Sequence, residues 1–231
     1  MKKSKIHNFY NQKLLMQSSK RGYYQEKINF FLEELKRYNK KDKRIKILDI
    51  GCNDGELIKK YTKFGQVLGI DISKKAIKEC KKKGLPCKLS DIESLPPKYN
   101  NYFNVVIAGD IIEHIFDTDR FLLKIHKVLK KDGKLLLTTP NLASLGRRIL
   151  LLFGKNPFIK YSTKLPSKEF NVGHIRYYTP NNIKEQLKES GFRNIKIYGD
   201  RINLSNYLFI PHRYAKNLPT LSRNIMVCCQ K

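Results

Sequence analysis

Two patterns of apolar and polar positions run along this chain of 231 residues. Between residues 45 and 140, short apolar runs at 45–50, 66–71, 86–90, 103–109 and 134–139 alternate with polar, lysine-rich stretches. Continuous apolar runs of this length predict strands buried on both faces, and the stretches between them predict covering helices. Such an alternation predicts a parallel sheet with right-handed crossovers. Ligands of such sheets lie beyond the C-terminal strand ends, near the switch in strand order. Upstream, Tyr24–Leu35 sets Ile28, Phe31, Leu32 and Leu35 on one face at helical spacing, which predicts a packed amphipathic helix. Downstream, Thr179 and Pro180 read as the N-cap and first position of a helix that Gly191 ends. Phe192–Tyr198 and Asn224–Cys229 read as the last two strands. Residues 141–173 break the pattern: Leu145–Lys155 is an apolar run carrying Arg147 and Arg148, and Asn156-Pro157-Phe158 and Leu165-Pro166-Ser167 are loop signals. The expected organisation is a helical cap over 1–44, a nucleoside-binding core over 45–140, an insertion on the substrate side over 141–178, and completion of the sheet over 179–231.

The first core run carries the chemistry. Ile45–Ile50 leads into Gly51-Cys52-Asn53-Asp54-Gly55, and Asp71 ends the second run 20 residues beyond Gly51. A strand, a glycine turn, a helix and a second strand ending in a carboxylate form a nucleoside-binding half of a Rossmann-type sheet, the acid accepting from ribose hydroxyls. A dinucleotide loop would carry glycines where Asn53 and Glu56 stand. Pyrophosphate also prefers a helix N-terminus without a competing anion. Asp49, Asp54 and Glu56 crowd this one and suit a cationic nucleoside such as S-adenosylmethionine, which carries a sulfonium and an ammonium. The plainer alternative for Asp54 and Glu56 is that they complement the helix dipole. Asp49, Asp71, Asp91 and Asp110 all fall at strand ends on one expected rim.

Leu48-Asp49-Ile50-Gly51-Cys52-Asn53-Asp54-Gly55 resembles the first motif of class I S-adenosylmethionine-dependent methyltransferases, with Asn53 at the middle glycine. Asn tolerates positive φ better than most residues. Gly69–Ser73 resembles the second motif, Leu89–Ile92 the third, Asn104–Ile115 the fourth, and Leu129–Leu137 the turn into the fifth strand. The resemblance implies an α/β fold: a Rossmann-like seven-stranded, mostly parallel sheet with helices on both faces and an antiparallel last strand. It implies that Asp49, Gly51, Asn53 and Gly55 line the methionine end of the cofactor. Asp71 would then hold the ribose and Ile72 lie on the adenine, with Asp91 and Ile92 at the adenine edge. Asp110 and His114 would lie where cofactor meets acceptor. In the family an N-terminal segment closes over the cofactor, which makes Phe9, Tyr10, Tyr23 and Tyr24 candidate covers, with plain packing as the alternative.

Composition bounds the setting. No apolar run approaches the roughly 18–20 residues of a membrane helix. The basic start Met1-Lys2-Lys3-Ser4-Lys5 has no apolar signal core behind it, so a cytoplasmic protein is expected. The five cysteines (Cys52, Cys80, Cys87, Cys228 and Cys229) show no metal spacing or disulfide framework, and no metal is expected. The formal net charge is +27, from 47 Lys and Arg against 20 Asp and Glu. Solvated lysine faces account for most of it; a nucleic acid or an anionic membrane touched through 145–159 remains open.

Methyl transfer to an alcohol needs an in-line acceptor and a base for its proton, commonly histidine. Of five histidines, His7, His126 and His212 offer little, whereas His114 and His174 flank the expected acceptor side. His114 is a base or a loop anchor. His174, with Arg176 and Tyr177, either faces the acceptor or ties the insertion to the domain. Glu113-His114 resembles the pair of ubiquinone-pathway and small-molecule O-methyltransferases. Signatures of nucleic-acid amino methylation and of cytosine C5 methylation are missing after the fourth strand. A small-molecule, glycan or lipid-linked acceptor is therefore expected. The rivals are an RNA methyltransferase and a non-catalytic subunit that only binds the cofactor. The glycine spacing puts an NAD-dependent dehydrogenase well behind.

Overall fold

The computed structural model describes residues 23–39, 44–157, 174–204 and 209–231. His7, Phe9, Tyr10, the side chains of Tyr23 and Tyr24, and residues 158–173, with the Leu165-Pro166-Ser167 signal, lie outside the described residues. Helix α1 (Tyr23–Tyr38) precedes β1 (Ile45–Ile50), α2 (Ile58–Tyr61), β2 (Gly65–Asp71), α3 (Lys74–Lys82) and β3 (Cys87–Leu89). Then come β4 (Phe103–Gly109), α4 (Thr118–Val128), β5 (Leu129–Pro140), α5 (Leu145–Leu152), α6 (Pro180–Glu189) and β6 (Arg193–Gly199). A small hairpin, β7 (Ile202–Asn203) and β8 (Phe209–Ile210), and the turn α7 (His212–Ala215) lead to β9 (Asn224–Gln230).

The seven-stranded sheet runs β3-β2-β1-β4-β5-β9-β6. Strands β1 to β5 pair in parallel, and β9 enters antiparallel between β5 and β6. Strand order reverses between β1 and β4, so the expected ligand crevice opens there. Side-chain alternation divides the strands between two cores, as period two requires. Leu48, Ile50, Val106, Leu137 and Cys229 face α4 and α6, while Ile47, Val105, Leu136 and Cys228 face α1 and α3. Cys228 and Cys229 thus point to opposite faces, and all five cysteines are free and buried.

Three elements differ from the sequence reading. The helix expected to open at Asp54 is a single turn, Ile58–Tyr61, running into a 3-10 turn at Thr62–Phe64, because Gly65 already begins β2. Strand β5 starts at Leu129 rather than 134: Leu129 pairs with Phe103, and the register slips before Lys134 pairs with Val105. The buried face of α1 is rotated. It comprises Lys27, Phe30, Phe31, Glu34 and Leu35, while Ile28 and Leu32 are only half-buried. Periodicity finds the apolar stripe but misses two charged residues that tertiary partners draw inward.

The C-terminal helix follows expectation. Thr179 Oγ1 accepts from the Asn182 N–H and Asn182 returns a bond to the Thr179 N–H, with Pro180 in the first turn. Gly191 takes a φ of 86° just past its end.

Candidate functional site

The glycine turn after β1 has the backbone it needs. Gly51, Asn53 and Gly55 have φ of 74°, 50° and 76°, so Asn53 stands in the left-handed region where the family motif has glycine. A Cβ on Gly51 would fall 2.2 Å from the Ile111 side chain, so the segment after β4 lies directly on this turn. Asp71 braces the turn from β2: its carboxylate accepts from the Asn53 N–H at 3.0 Å and the Ser73 N–H at 2.8 Å. Burial raises the Asp71 pKa, partly offset by those N–H groups. Ser73 caps α3 by accepting from the Ala76 N–H, and Ile72 is half-buried between the two.

Asp49 is 5% exposed and has no ion pair with a basic side chain among the described residues. Burial first, and the Asp71 charge second, push its pKa up to about 7. Two carboxylates at neighbouring strand ends therefore share one low-dielectric site, an arrangement that a cation would relieve. The Asn53 side-chain oxygen is likewise buried without a hydrogen-bond partner. These observations fit S-adenosylmethionine, whose ammonium answers the carboxylates and whose ribose hydroxyls can reach Asp71.

The other acids expected around the site are already engaged. Asp54 pairs with Lys83 at 2.6 Å. Asp91 accepts from the Glu93 N–H at 3.1 Å and caps a 3-10 turn. The Ile92 side chain is only 2% exposed and belongs to the core, so Ile92 can meet an adenine only through its backbone. Asp110, turned to φ 53° at the end of β4, receives the Lys27 ammonium on both oxygens, at 2.8 and 2.6 Å, and the Thr138 hydroxyl at 2.9 Å. Burial alone would raise the Asp110 pKa; the Lys27 charge and these hydrogen bonds outweigh it and hold the pKa below the usual carboxylate range.

Beside Asp110 the two expected histidines meet. The His114 and His174 rings lie edge to face with centroids 4.8 Å apart. Glu113, 2% exposed, accepts from the Thr139 hydroxyl at 3.1 Å; its other oxygen makes no hydrogen bond and lies 3.9 Å from His174 Nε2. Burial, then the Asp110 charge, raises the Glu113 pKa. Burial, then His114, lowers that of His174 to about 4. His174 is thus a neutral imidazole at pH 7. One donor atom each from Glu113, His114 and His174 lies within 4.8 Å of the others, a set of ligand types that divalent ions also use.

Arg176 and Tyr177 stand apart from that pair. The Ile175 and Arg176 N–H groups donate to the Glu113 carbonyl, at 2.9 and 3.1 Å. The Arg176 guanidinium donates to the Phe116 carbonyl at 2.6 Å, and the Tyr177 hydroxyl donates to the His174 carbonyl at 3.4 Å. Both residues are exposed and line a shallow depression with Thr118, Asp119 and Asn182. These bonds make them ties between the end of the insertion and the β4–α4 loop. Sequence reasoning missed Lys27, hidden as one more lysine on a polar face. It gave Thr138 and Thr139 no role.

A methyltransferase-domain model matches residues 16–197. The chain is 38% identical over 106 residues to the ubiquinone biosynthesis O-methyltransferase of Pelagibacter ubique, covering 43% of each protein. It is 31% identical over 121 residues to the human mitochondrial ubiquinone biosynthesis O-methyltransferase, covering 48% of this chain and 33% of that one. The chain therefore aligns with less than half the length of these relatives. A S-adenosylmethionine-dependent methyltransferase structure from Archaeoglobus fulgidus superimposes with a TM-score of 0.60 at 20% identity, over 88% of this chain and 94% of that one. With the glycine turn, the ribose-side acid and the inserted antiparallel strand all in place, the chain belongs to the methyltransferase-domain family and has the fold of the class I S-adenosylmethionine-dependent enzymes.

Proposed function

We propose that this protein transfers the S-adenosylmethionine methyl group to an oxygen of a small-molecule, glycan or lipid-linked acceptor. One observation carries the reading: an imidazole pair, backed by Glu113, stands beside Asp110 where the segment after β4 touches the glycine turn. In this reading Asp49, Gly51, Asn53 and Gly55 hold the methionine end, and Asp71 holds the ribose. Ile72, Asp91 and the Ile92 backbone surround the adenine. Cofactor and acceptor meet at Asp110 and His114. Bound S-adenosylmethionine supplies an already activated methyl group. The protein's own work is to hold the acceptor oxygen in line, worth about 7–11 kcal/mol of barrier in well-oriented systems, and to take its proton. An imidazole of the His114–His174 pair is the proton acceptor. Arg176 and Tyr177 fix the backbone that carries His174 and border the acceptor's entry.

The similarity to ubiquinone-pathway enzymes over the core favours a lipid-linked acceptor. A peripheral membrane contact from the cytoplasm, through α5 and its surroundings, belongs to the same reading. The test is calorimetric titration with S-adenosylhomocysteine, then incubation with methyl-labelled cofactor and fractionated cell extract. Binding is expected, with Asp71→Ala weakening it roughly 10–100-fold, as loss of a hydrogen bond to a charged group predicts. Label is expected in the lipid, glycan or small-molecule fraction. Label in RNA, with affinity falling steeply in salt, would replace this reading with the RNA enzyme. Binding without turnover, together with a stable partner in pull-downs, would replace it with the regulatory subunit.

A further inference from the structure

Lys27 is 5% exposed, and its ammonium sits on Asp110, 83 positions along the chain. A lysine buried this deeply on a helix is costly unless something specific holds it. The sequence builds that hold in register. One turn along α1, the Phe31 ring lies 3.4 Å from where a Gly109 Cβ would stand, so the helix packs in contact with the end of β4. With Phe31 over Gly109, Lys27 falls over Asp110. The Asp110 N–H donates to the Thr138 carbonyl and the Thr138 hydroxyl donates to the Asp110 carboxylate, so the sheet holds the carboxylate as well as the lysine does.

Docking the helix does not require this pair, because Phe30, Phe31 and Leu35 already bury the same face. The position does have a chemical consequence. Lysine carries three N–H donors. Asp110 receives two hydrogen bonds from this one, and the third N–H has no protein acceptor among the described residues. Around it stand Asp110 from the end of β4, Glu113 and His114 from the turn after it, and His174 from beyond the insertion. The adjoining Ile111 lies on the cofactor turn at Gly51.

We propose that Lys27 is the cation of the acceptor site: α1 carries it over the sheet, Asp110 and Thr138 aim it, and its remaining N–H donates to the acceptor oxygen. This rests on the O-methyl transfer reading above. The acceptor's O–H bond breaks and its proton passes to an imidazole of the His114–His174 pair. The oxygen then forms its bond to the methyl carbon, and the S–CH3 bond breaks to leave the neutral thioether. The developing oxyanion is stabilised by Lys27 in a water-poor site, which selects acidic acceptors such as phenols or carboxylic acids over neutral alcohols. The acceptor site is complete only with α1 docked on the sheet.

The test uses the full chain with S-adenosylhomocysteine and the chromogenic probe 4-nitrophenol, whose absorbance reports its ionisation. Titrated at a pH below its own pKa, the probe is expected to bind as the anion, with a preference of at least about tenfold, the scale of one charge pair at reduced dielectric. Lys27→Met should abolish that preference and Lys27→Arg should retain most of it. S-adenosylhomocysteine affinity and thermal melting, measured on each variant, separate this effect from loss of the cap or of the fold. Cofactor binding without an anionic preference in the parent protein overturns the role of Lys27 and leaves the methyltransferase reading standing. The same preference in Lys27→Met, or its loss on adding a chelator alone, also overturns it, the latter because a metal ion would then be the charge. Failure to bind S-adenosylhomocysteine sinks the broader reading and this one with it.

Discussion

Asp49 shows how a single residue's environment becomes an observable. Its folded pKa of about 7 stands above the value of about 3.9 expected in an unfolded chain. The folded state therefore holds more protons in that window, and the stability this group confers is full below about pH 4 and is lost as pH rises through 7. A cationic ligand favours the ionised form, so binding should expel a proton. S-adenosylhomocysteine affinity is expected to rise with pH up to about 7. Calorimetry near pH 6 in two buffers of different ionisation heat should detect release of part of a proton, and Asp49→Asn should abolish it. At this scale the sequence was a good guide where backbone chemistry decides: Gly51, Asn53 and Gly55 take the positive φ that their identities allow. It was a poor guide where partners decide. Asp54 beside the glycine turn and Asp91 and Asp110 on the rim read alike as unpaired acids, but Lys83, a capping turn and Lys27 give each a different employment.

Elements repeat the lesson with larger groups. Strands β1, β2 and β4 fall within a residue of their apolar runs because burial on both faces leaves an unbroken signature. Helix α1 was legible as a helix but not in its rotation, since Lys27 and Glu34 look polar until Asp110, Lys134 and Arg37 come into view. Leu35 anchors that rotation and is fully buried between the helix and the sheet. Leu35→Ala should cost about 2–5 kcal/mol in denaturant unfolding, the range for a buried leucine truncated to alanine. Local unfolding of the N-terminal cap should accompany it, read as faster amide exchange along α1. The hairpin β7–β8 and α7 left no periodic trace because each is too short to carry one.

For the whole molecule, charge and exposed apolar surface converge. Ile149, Leu150, Leu151, Leu152 and Phe153 are exposed along α5 and just past it, and Leu152 and Phe153 are 80% and 71% exposed. A Cβ on Gly146 of α5 would meet the Asn203 carbonyl at 3.4 Å, which sets the helix beside the hairpin where Arg201 lies over the exposed Phe209. Among the described residues no helix is long and apolar enough to cross a membrane. An apolar patch bordered by cations on a chain of net charge +27 suits the surface of an anionic bilayer instead. Flotation with phosphatidylcholine–phosphatidylglycerol vesicles should recover the protein, and added salt should reduce recovery. The double substitution Leu152→Glu and Phe153→Glu should lower the bound fraction roughly tenfold without changing the melting temperature, because both side chains are already in water.

Taken alone, the amino-acid order determined the sheet, its glycine turn and the acid that braces that turn. Each of these depends on neighbours within about one βα unit, where local sterics and continuous burial leave a readable mark. Which charges end up paired was decided only when distant segments met. Lys27 and Asp110 are 83 positions apart, and Glu113 reaches His174 across the whole insertion. Their pairing depends on desolvation, a property of the packed interior that no window of sequence contains.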